Sequence, residues 1–313
     1  MGQRSYAILG TGAVGGFYGA CLQRAGLPVH FLLRSDYAHV REHGLVIDSV
    51  AGDFHLPEVK AYSKVTAMPP CDVVIIGLKT TQNSLLASLL PPLLNEDSLV
   101  LVLQNGLGNE AEVAQIVPAD RVLGGLCFIC ANKVGPGHIR HLGYGTVTLG
   151  QRAPGQIAAG ISSSMTAIAA DFRQAGLCVN LAEDLPLARW HKLVWNIPFN
   201  GLSVVLDAST RDLMAASRTL VEALMQEVVL AAGACGRTIS DNFLEQMLEH
   251  TARMEPYSTS MKLDAAAGRP LELEAIFGVP LRIARQAGIE LPRIAMLYDQ
   301  LRFLEAQHNH TAP

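Results

Sequence analysis

The chain has 313 residues and a mass of 33.5 kDa, which is more than one ordinary domain needs and enough for two. Half of it is hydrophobic, 17% is charged and the net charge is −4, so a large core is available and no basic footprint for nucleic acid is present. The mean hydropathy is +0.25, but the long uncharged stretches fail as membrane spans, which need about 20 predominantly apolar residues. Residues 80–95 contain Pro91 and Pro92, and residues 153–170 are rich in Gly and Ser.

From Arg4 the chain passes straight into a short apolar strand, 5–10, with no long apolar leader and no cleavage site, so no signal peptide is expected. Helical spacing follows over 13–25. A second strand over 29–34 leads to a helix for which Asp36 is the expected N-cap. Continuous apolar runs at 71–79 and 98–104 fit strands buried on both faces of a parallel sheet. Strands alternating with helices imply βαβ units. After Arg121 the texture changes. Residues 123–150 read as antiparallel strands at the sheet edge, turning at Gly135-Pro136-Gly137, and a helix over 157–175 closes the domain. Beyond Leu185 the apolar residues recur at three and four, giving helices over 186–205, 210–235, 241–254, 271–287 and 292–306. Residues 307–313, with His308 and His310, read as a frayed, solvated tail. The fold class is therefore α/β, a Rossmann-type doubly wound sheet over 1–182 followed by an all-helical domain over 183–313.

The six cysteines, Cys21, Cys71, Cys127, Cys130, Cys178 and Cys235, lie in apolar contexts and read as buried free thiols of a cytoplasmic protein. Cys127 and Cys130 form a CxxC within a strand. Residues three apart on a strand point to opposite faces, and no second CxxC completes a zinc site, so no metal is expected.

The chemistry starts at Gly10-Thr11-Gly12-Ala13-Val14-Gly15, which follows the first strand and opens a helix. In that context the three glycines serve a tight turn, close approach of a pyrophosphate and close helix–sheet packing. The helix N-terminus offers amides and positive dipole to phosphates. Arg34 falls 19 residues after Gly15, at the place where NAD-dependent enzymes carry a carboxylate for the ribose 2′-hydroxyl. A guanidinium pairs with a 2′-phosphate instead, so NADP(H) is the expected cofactor. Asp36 could serve NAD, but reads as a helix cap. Lys79 and Asn105 stand at the ends of two further strands, where ligands of open α/β sheets bind. An exposed lysine and a turn Asn-Gly are the bland alternatives.

In the helix from 186, Lys192, Asn196 and Asn200 recur every fourth residue and form one polar stripe on an apolar helix. Buried polar groups must find partners, and a lysine in a dry cleft can donate a proton near neutral pH. A snorkelling lysine and two asparagines bonded to nearby backbone would explain the same spacing. Pro198 costs this helix a backbone bond. His191 points elsewhere and reads as structural. Glu272 and Glu274 read as first-turn carboxylates of the next apolar helix, and Ser258, Thr259 and Ser260 as loop or cap residues.

Together these residues resemble the ketopantoate reductase (2-dehydropantoate 2-reductase) family from Gly10 to about Pro292. The markers are the Gly10/Gly12/Gly15 turn, Arg34, Lys79 in LKTTQ, Gln104-Asn105-Gly106, the Lys192/Asn196/Asn200 stripe, Ser260-Met261 and Glu272. The resemblance implies NADPH-dependent reduction of a 2-oxo acid in pantothenate and coenzyme A synthesis. It places Arg34 at the 2′-phosphate, with Lys79, Asn105 and the Ala131 backbone at the cofactor. Glu272 would count with Lys192 among the catalytic residues, contacting the nicotinamide ribose side and helping to organise the cleft. Lys192 would be the general acid, with Asn196, Asn200 and Ser260 holding the substrate. It also implies a site between the two domains that closes on binding. The family places an asparagine where this chain has Thr210, 18 residues after Lys192. Threonine can hydrogen-bond there with a shorter reach. Two alternatives stay open: a related 2-oxo acid or opine-type reductase, and a non-catalytic NADP-binding regulator. No nucleic acid or membrane partner is expected. Helical second domains of this kind often mediate dimers, which leaves a homodimer open.

Overall fold

The computed structural model describes residues 3–311. Its strands in chain order are β1 (Tyr6–Leu9), β2 (Val29–Leu32), β3 (Leu45–Ser49), β4 (Phe54–Leu56), β5 (Lys60–Tyr62), β6 (Val73–Ile76), β7 (Leu99–Val102), β8 (Val122–Gly135), β9 (His138–Gln151) and β10 (Val179–Ala182). They form one mixed sheet in the order β4-β3-β9-β8-β7-β6-β1-β2-β5, with β10 also paired to β9. The stretch from β8 to β5 is parallel throughout. Its apolar runs are continuous because both faces are covered. Tyr6, Ile8, Phe31, Val73 and Ile75 enter one core with Phe17 and Leu22 of α1 (Ala13–Arg24). Their neighbours Ala7, Leu9, Val74, Ile76, Val100 and Val102 enter a second core with Leu86 and Leu90.

The β8–β9 hairpin does not form the sheet edge, contrary to the expectation from sequence. The outer side of β9 carries β3 along 138–141 and β10 along 147–150, both parallel. Between those stretches Tyr144 and Gly145 have φ of 63° and 114°, and the register shifts near Phe128 and Cys130. These irregularities interrupt the long hairpin between the stretch that carries β3 and the stretch that carries β10. His141 braces the interruption. Its Nε2 lies 3.1 Å from the carbonyls of Gly143 and Tyr144, so that nitrogen carries the proton. Its Nδ1 then accepts from the Ser49 hydroxyl at 2.8 Å. Cys127 and Cys130 are both buried. Cys178 is exposed and Cys235 half-buried, so the expectation of six buried thiols holds only for the other four. Burial pushes the Cys21 and Cys71 thiols up to about 11, which leaves them unreactive near neutral pH.

The other helices are α2 (Tyr37–His43), α3 (Leu86–Leu89), α4 (Asn109–Val113), α5 (Ser163–Gln174), α6 (Leu185–Val205), α7 (Thr210–Ala216), α8 (Arg218–Ala234), α9 (Asp241–Arg253), α10 (Ser260–Ala266), α11 (Val279–Gln286) and α12 (Pro292–Thr311). α5 starts six residues later than the sequence suggests. Gly160 has φ of 72°, and the Ser162 hydroxyl caps the helix by accepting from the Met165 amide. The helix expected over 210–235 is two helices, broken at Ser217. The helix expected over 271–287 opens instead with a π turn, Glu274–Gly278, before α11. α12 continues to Thr311 rather than fraying at Gln307, while the side chains of His308 and His310 lie outside the described residues.

The chain divides into two compact units. One holds residues up to Gln104 together with Asn109–Pro186, and the other holds Asn105–Gly108 with the chain from Leu187 onward. The division read from sequence falls four residues earlier and has no counterpart for Asn105–Gly108. The core of the second unit is built on Trp190, Leu193, Ile197 and Phe199 of α6 with Leu224 and Val228 of α8. Glu227 of α8, only 3% exposed, stabilises the start of α12. Its two oxygens accept from the amides of Arg293 at 3.0 Å and Ile294 at 2.9 Å. It thus satisfies orphan donors at a helix N-terminus with a negative charge. Glu227→Ala is expected to destabilise the protein by about 2–3 kcal/mol, seen as a lower urea midpoint at unchanged slope.

Candidate functional site

The glycine turn separates into two kinds of position. Gly10 has φ of +95°, and a Cβ there would lie 2.5 Å from the Leu78 amide nitrogen. At Gly15 a Cβ would lie 2.3 Å from the Gly10 carbonyl oxygen. Both are therefore required by the packing of α1 on the strands. At Gly12, in contrast, a Cβ would meet nothing within 4 Å. Gly12 is the N-cap of α1, whose first turn (Ala13, Val14, Gly15) has no side-chain cap and no acidic residue. The Thr11 hydroxyl donates to the Leu32 carbonyl at 3.0 Å and fastens the turn to the end of β2. Open space over uncapped helix amides is what a pyrophosphate needs, so these residues fit a dinucleotide.

β2 ends at Leu32 rather than Arg34, although the Leu33 amide still donates to the Tyr62 carbonyl at 2.8 Å. Arg34 is exposed and makes no hydrogen bond or ion pair among the described residues. Asp36 occupies the N-cap position of α2 but caps nothing. Its buried carboxylate faces the other way, paired with the Lys133 ammonium and accepting from the Gly137 amide at 3.2 Å and the Ser35 hydroxyl at 3.0 Å. Burial pushes this carboxyl up, but the Lys133, Gly137 and Ser35 donors together hold it below its ordinary value. The cap expected from sequence is thus replaced by a tie to the β8–β9 hairpin.

Lys79 is exposed at the start of a 3₁₀ turn, Thr80–Leu85, just past β6. The loop there is held by Gln104, whose amide donates to the Leu78 carbonyl at 2.9 Å and the Asn83 side chain at 2.7 Å. Ala131 is half-buried on β8, opposite His141 at a register shift. Asn105 opens the segment that belongs to the second unit. Gly106 has φ of +88°, and a Cβ there would lie 2.3 Å from the Ala275 carbonyl oxygen. The Leu107 amide donates to that same carbonyl at 2.9 Å.

In the second unit, α6 places Lys192, Asn196 and Asn200 along one line. Lys192 is half-buried, whereas Asn196 and Asn200 are 5% and 3% exposed. The Asn196 Nδ2 and Asn200 Oδ1 atoms are buried with no hydrogen-bond partner among the described residues. An unmade bond on a buried amide costs about 1–3 kcal/mol, so this stripe is poor packing and a ready binding surface. Its flanks are packed tightly: the His191 ring lies tilted against Phe243 of α9 with centroids 4.3 Å apart, and Trp195 stacks on Phe199 at 5.0 Å. Asn196→Leu is expected to raise stability by about 1 kcal/mol, read from thermal melting.

Ser203 and Thr259, both fully buried, tie this stripe to α10. The Ser203 hydroxyl donates to the Asn200 carbonyl at 3.1 Å and lies 2.8 Å from the Thr259 hydroxyl. Thr259 in turn caps α10 by accepting from the Lys262 amide at 3.2 Å. Half-buried Ser260, the next residue, is thereby fixed relative to Asn200. Ser203 was not legible as a functional position; its one signal is a hydroxyl three residues beyond Asn200 on an apolar helix. Thr210 is fully buried at the start of α7. Its hydroxyl accepts from the Tyr257 amide at 3.2 Å, and its own amide donates to the Tyr257 carbonyl at 3.1 Å. Glu272 is buried, whereas Glu274 is exposed, pairing with Arg282 and accepting from the Tyr298 hydroxyl. Among the described residues no group of three or more His, Cys, Asp or Glu side chains is placed to hold a metal ion. None of their helices is long and apolar enough to cross a membrane.

An open glycine turn at the carboxyl end of a buried parallel strand, before an uncapped helix, defines a dinucleotide-binding α/β unit. Here it is joined to a helical unit with a Lys–Asn stripe whose asparagines are buried. The chain belongs to the ketopantoate reductase family. Residues 6–154 match the family model described as ketopantoate reductase PanE/ApbA, and residues 184–305 match that of its C-terminal domain. It is 56% identical to a 2-dehydropantoate 2-reductase of Nostoc sp. over 98% of this chain and 97% of the relative. Among solved structures, a 2-dehydropantoate 2-reductase of Geobacter metallireducens superposes with a TM-score of 0.92 at 44% identity, covering 96% of this chain and 99% of the other. A D-mandelate dehydrogenase solved with NADH and anilino(oxo)acetate shares the fold, with a TM-score of 0.88 at 22% identity over 97% and 99% of the two chains.

Proposed function

We propose that the protein is an NADPH-dependent 2-dehydropantoate 2-reductase, reducing ketopantoate to pantoate. The observation that carries the reading is the pair of orphaned amide atoms beside Lys192. Asn196 Nδ2 is a donor and Asn200 Oδ1 an acceptor. A 2-oxo acid offers carboxylate and ketone oxygens to the donor. Ketopantoate also has a hydroxyl whose proton suits the acceptor, which a plain 2-oxo acid lacks. The names of the Nostoc and Geobacter relatives support the same substrate.

Bound NADPH supplies a hydride to the ketone carbon. As charge builds on the carbonyl oxygen, the Lys192 ammonium stabilises it and gives it a proton, acting as general acid. Asn196, Asn200 and Ser260 hold the substrate, with Ser260 aligned by the Ser203–Thr259 pair. Gly12 and the α1 amides of Ala13, Val14 and Gly15 take the pyrophosphate, with Thr11 holding the turn. Arg34 takes the 2′-phosphate. Lys79, Asn105, the Ala131 backbone and Glu272 complete the cofactor site. An exposed Arg34 without an ion pair among the described residues, and an Asp36 already engaged elsewhere, support NADP(H) over NAD(H).

A reductase of another 2-oxo acid is the second reading, and Thr210 favours it. The hydroxyl that stands in place of the family's asparagine is already bonded to the Tyr257 backbone. Mass-spectrometric product analysis after incubation with ketopantoate and NADPH tests the choice. Stoichiometric pantoate supports the first reading; unchanged ketopantoate with turnover of other 2-oxo acids supports the second.

A further inference from the structure

Asp36 lies two residues beyond Arg34, and a free carboxylate there would work against a 2′-phosphate in two ways. It would repel the phosphate, and it would draw the Arg34 guanidinium into an ion pair of its own. Neither happens here, because the carboxylate is 6% exposed and directed into the hairpin. Two of its three partners are neutral donors, the Gly137 amide and the Ser35 hydroxyl. The third is the Lys133 ammonium from β8. Of Arg34, Lys133 and Asp36, two are cations and one is an anion. Without Lys133, Asp36 is left to offset Arg34.

We infer that Lys133 is a specificity-determining residue for the cofactor: by neutralising and sequestering Asp36 it keeps Arg34 available for a 2′-phosphate. The inference rests on the reading of Arg34 as the 2′-phosphate partner. Lys133 need not touch the cofactor, so it acts through Asp36 as a positioning residue. NADH lacks the 2′-phosphate, so loss of this positive charge does not weaken its binding, and a freed Asp36 carboxylate could accept from its ribose 2′-hydroxyl.

The test is equilibrium binding of NADPH and of NADH to the full chain, followed by cofactor fluorescence, in four variants beside the unaltered protein. Lys133→Met is expected to raise the NADPH Kd about tenfold and to leave that for NADH unchanged or lower. Lys133→Met with Asp36→Asn is expected to regain NADPH affinity, because the liberated charge is gone. Asp36→Asn alone, which keeps Lys133, is expected to tighten NADPH binding and leave NADH binding unchanged. An unchanged NADPH-to-NADH ratio in both Lys133→Met and Asp36→Asn would overturn the inference. So would equal weakening of both cofactors in Lys133→Met without rescue by Asp36→Asn, which would make Lys133 a hairpin anchor only. Arg34→Ala separates the underlying reading: if that variant binds NADPH as tightly as the unaltered protein, the assignment of Arg34 itself fails.

Discussion

Lys192→Ala is expected to lower kcat by about a hundredfold or more while NADPH binds as before. The reduction leaves an alkoxide that must be neutralised as it forms, and no other cation is assigned to that task in the proposed mechanism. The lysine is half-buried on a helix whose neighbouring faces are packed into the core of the second unit. Its replacement removes charge and donor while the apolar faces of the helix stay packed, so the variant is expected to fold, which a cooperative thermal melt checks. The KM for the 2-oxo acid rises only in so far as the ammonium also holds the ground-state ketone. A fall in kcat much larger than the rise in KM marks an interaction made mainly in the transition state. A kcat within a few fold of the original, in a folded variant, would remove Lys192 from the chemistry.

Gly12→Ala and Gly15→Ala are expected to fail in opposite ways, although both sit in the same turn. Gly12→Ala puts a methyl into space where the protein has no atom within 4 Å, and its φ of −86° suits any residue. Stability should fall by no more than about 1 kcal/mol, the cost of a poorer N-cap. NADPH affinity should fall on the order of a hundredfold, because the methyl would enter the space proposed for the pyrophosphate. Gly15→Ala drives a methyl to 2.3 Å from the Gly10 carbonyl oxygen, where only backbone could yield. It should cost about 3 kcal/mol or more through overpacking, with cofactor loss following from the damage. Chemical denaturation and NADPH titration of both variants check the contrast. An equally destabilised Gly12→Ala would mean that this position serves packing after all.

The parallel core was legible because runs such as Val73–Ile76 and Leu99–Val102 carry their own burial signature, apolar on both faces. Residues 45–62 were not legible. β4 and β5 are three residues each, too short for alternation to register; β4 pairs with the preceding β3, and β5 with β2 some way back in the chain. That is also why the hairpin was expected at the edge. Asp36 was misread for a related reason. Its local context is that of a helix cap, and the donor that outcompetes the α2 amides arrives from Lys133, 97 residues away in sequence. The Lys192/Asn196/Asn200 stripe could be seen as a spacing, but its unmet hydrogen-bonding atoms exist only after packing. The Ser203–Thr259 link spans 56 residues, and neither hydroxyl announces it.

The central claim is tested most directly by steady-state NADPH oxidation with a panel of 2-oxo acids, with NADH run in parallel. The account predicts a kcat/KM for ketopantoate with NADPH at least about a hundredfold above that for 2-oxo acids lacking the hydroxyl, and weak turnover with NADH. Equal or better turnover of an acid without that hydroxyl, or a preference for NADH, would contradict it.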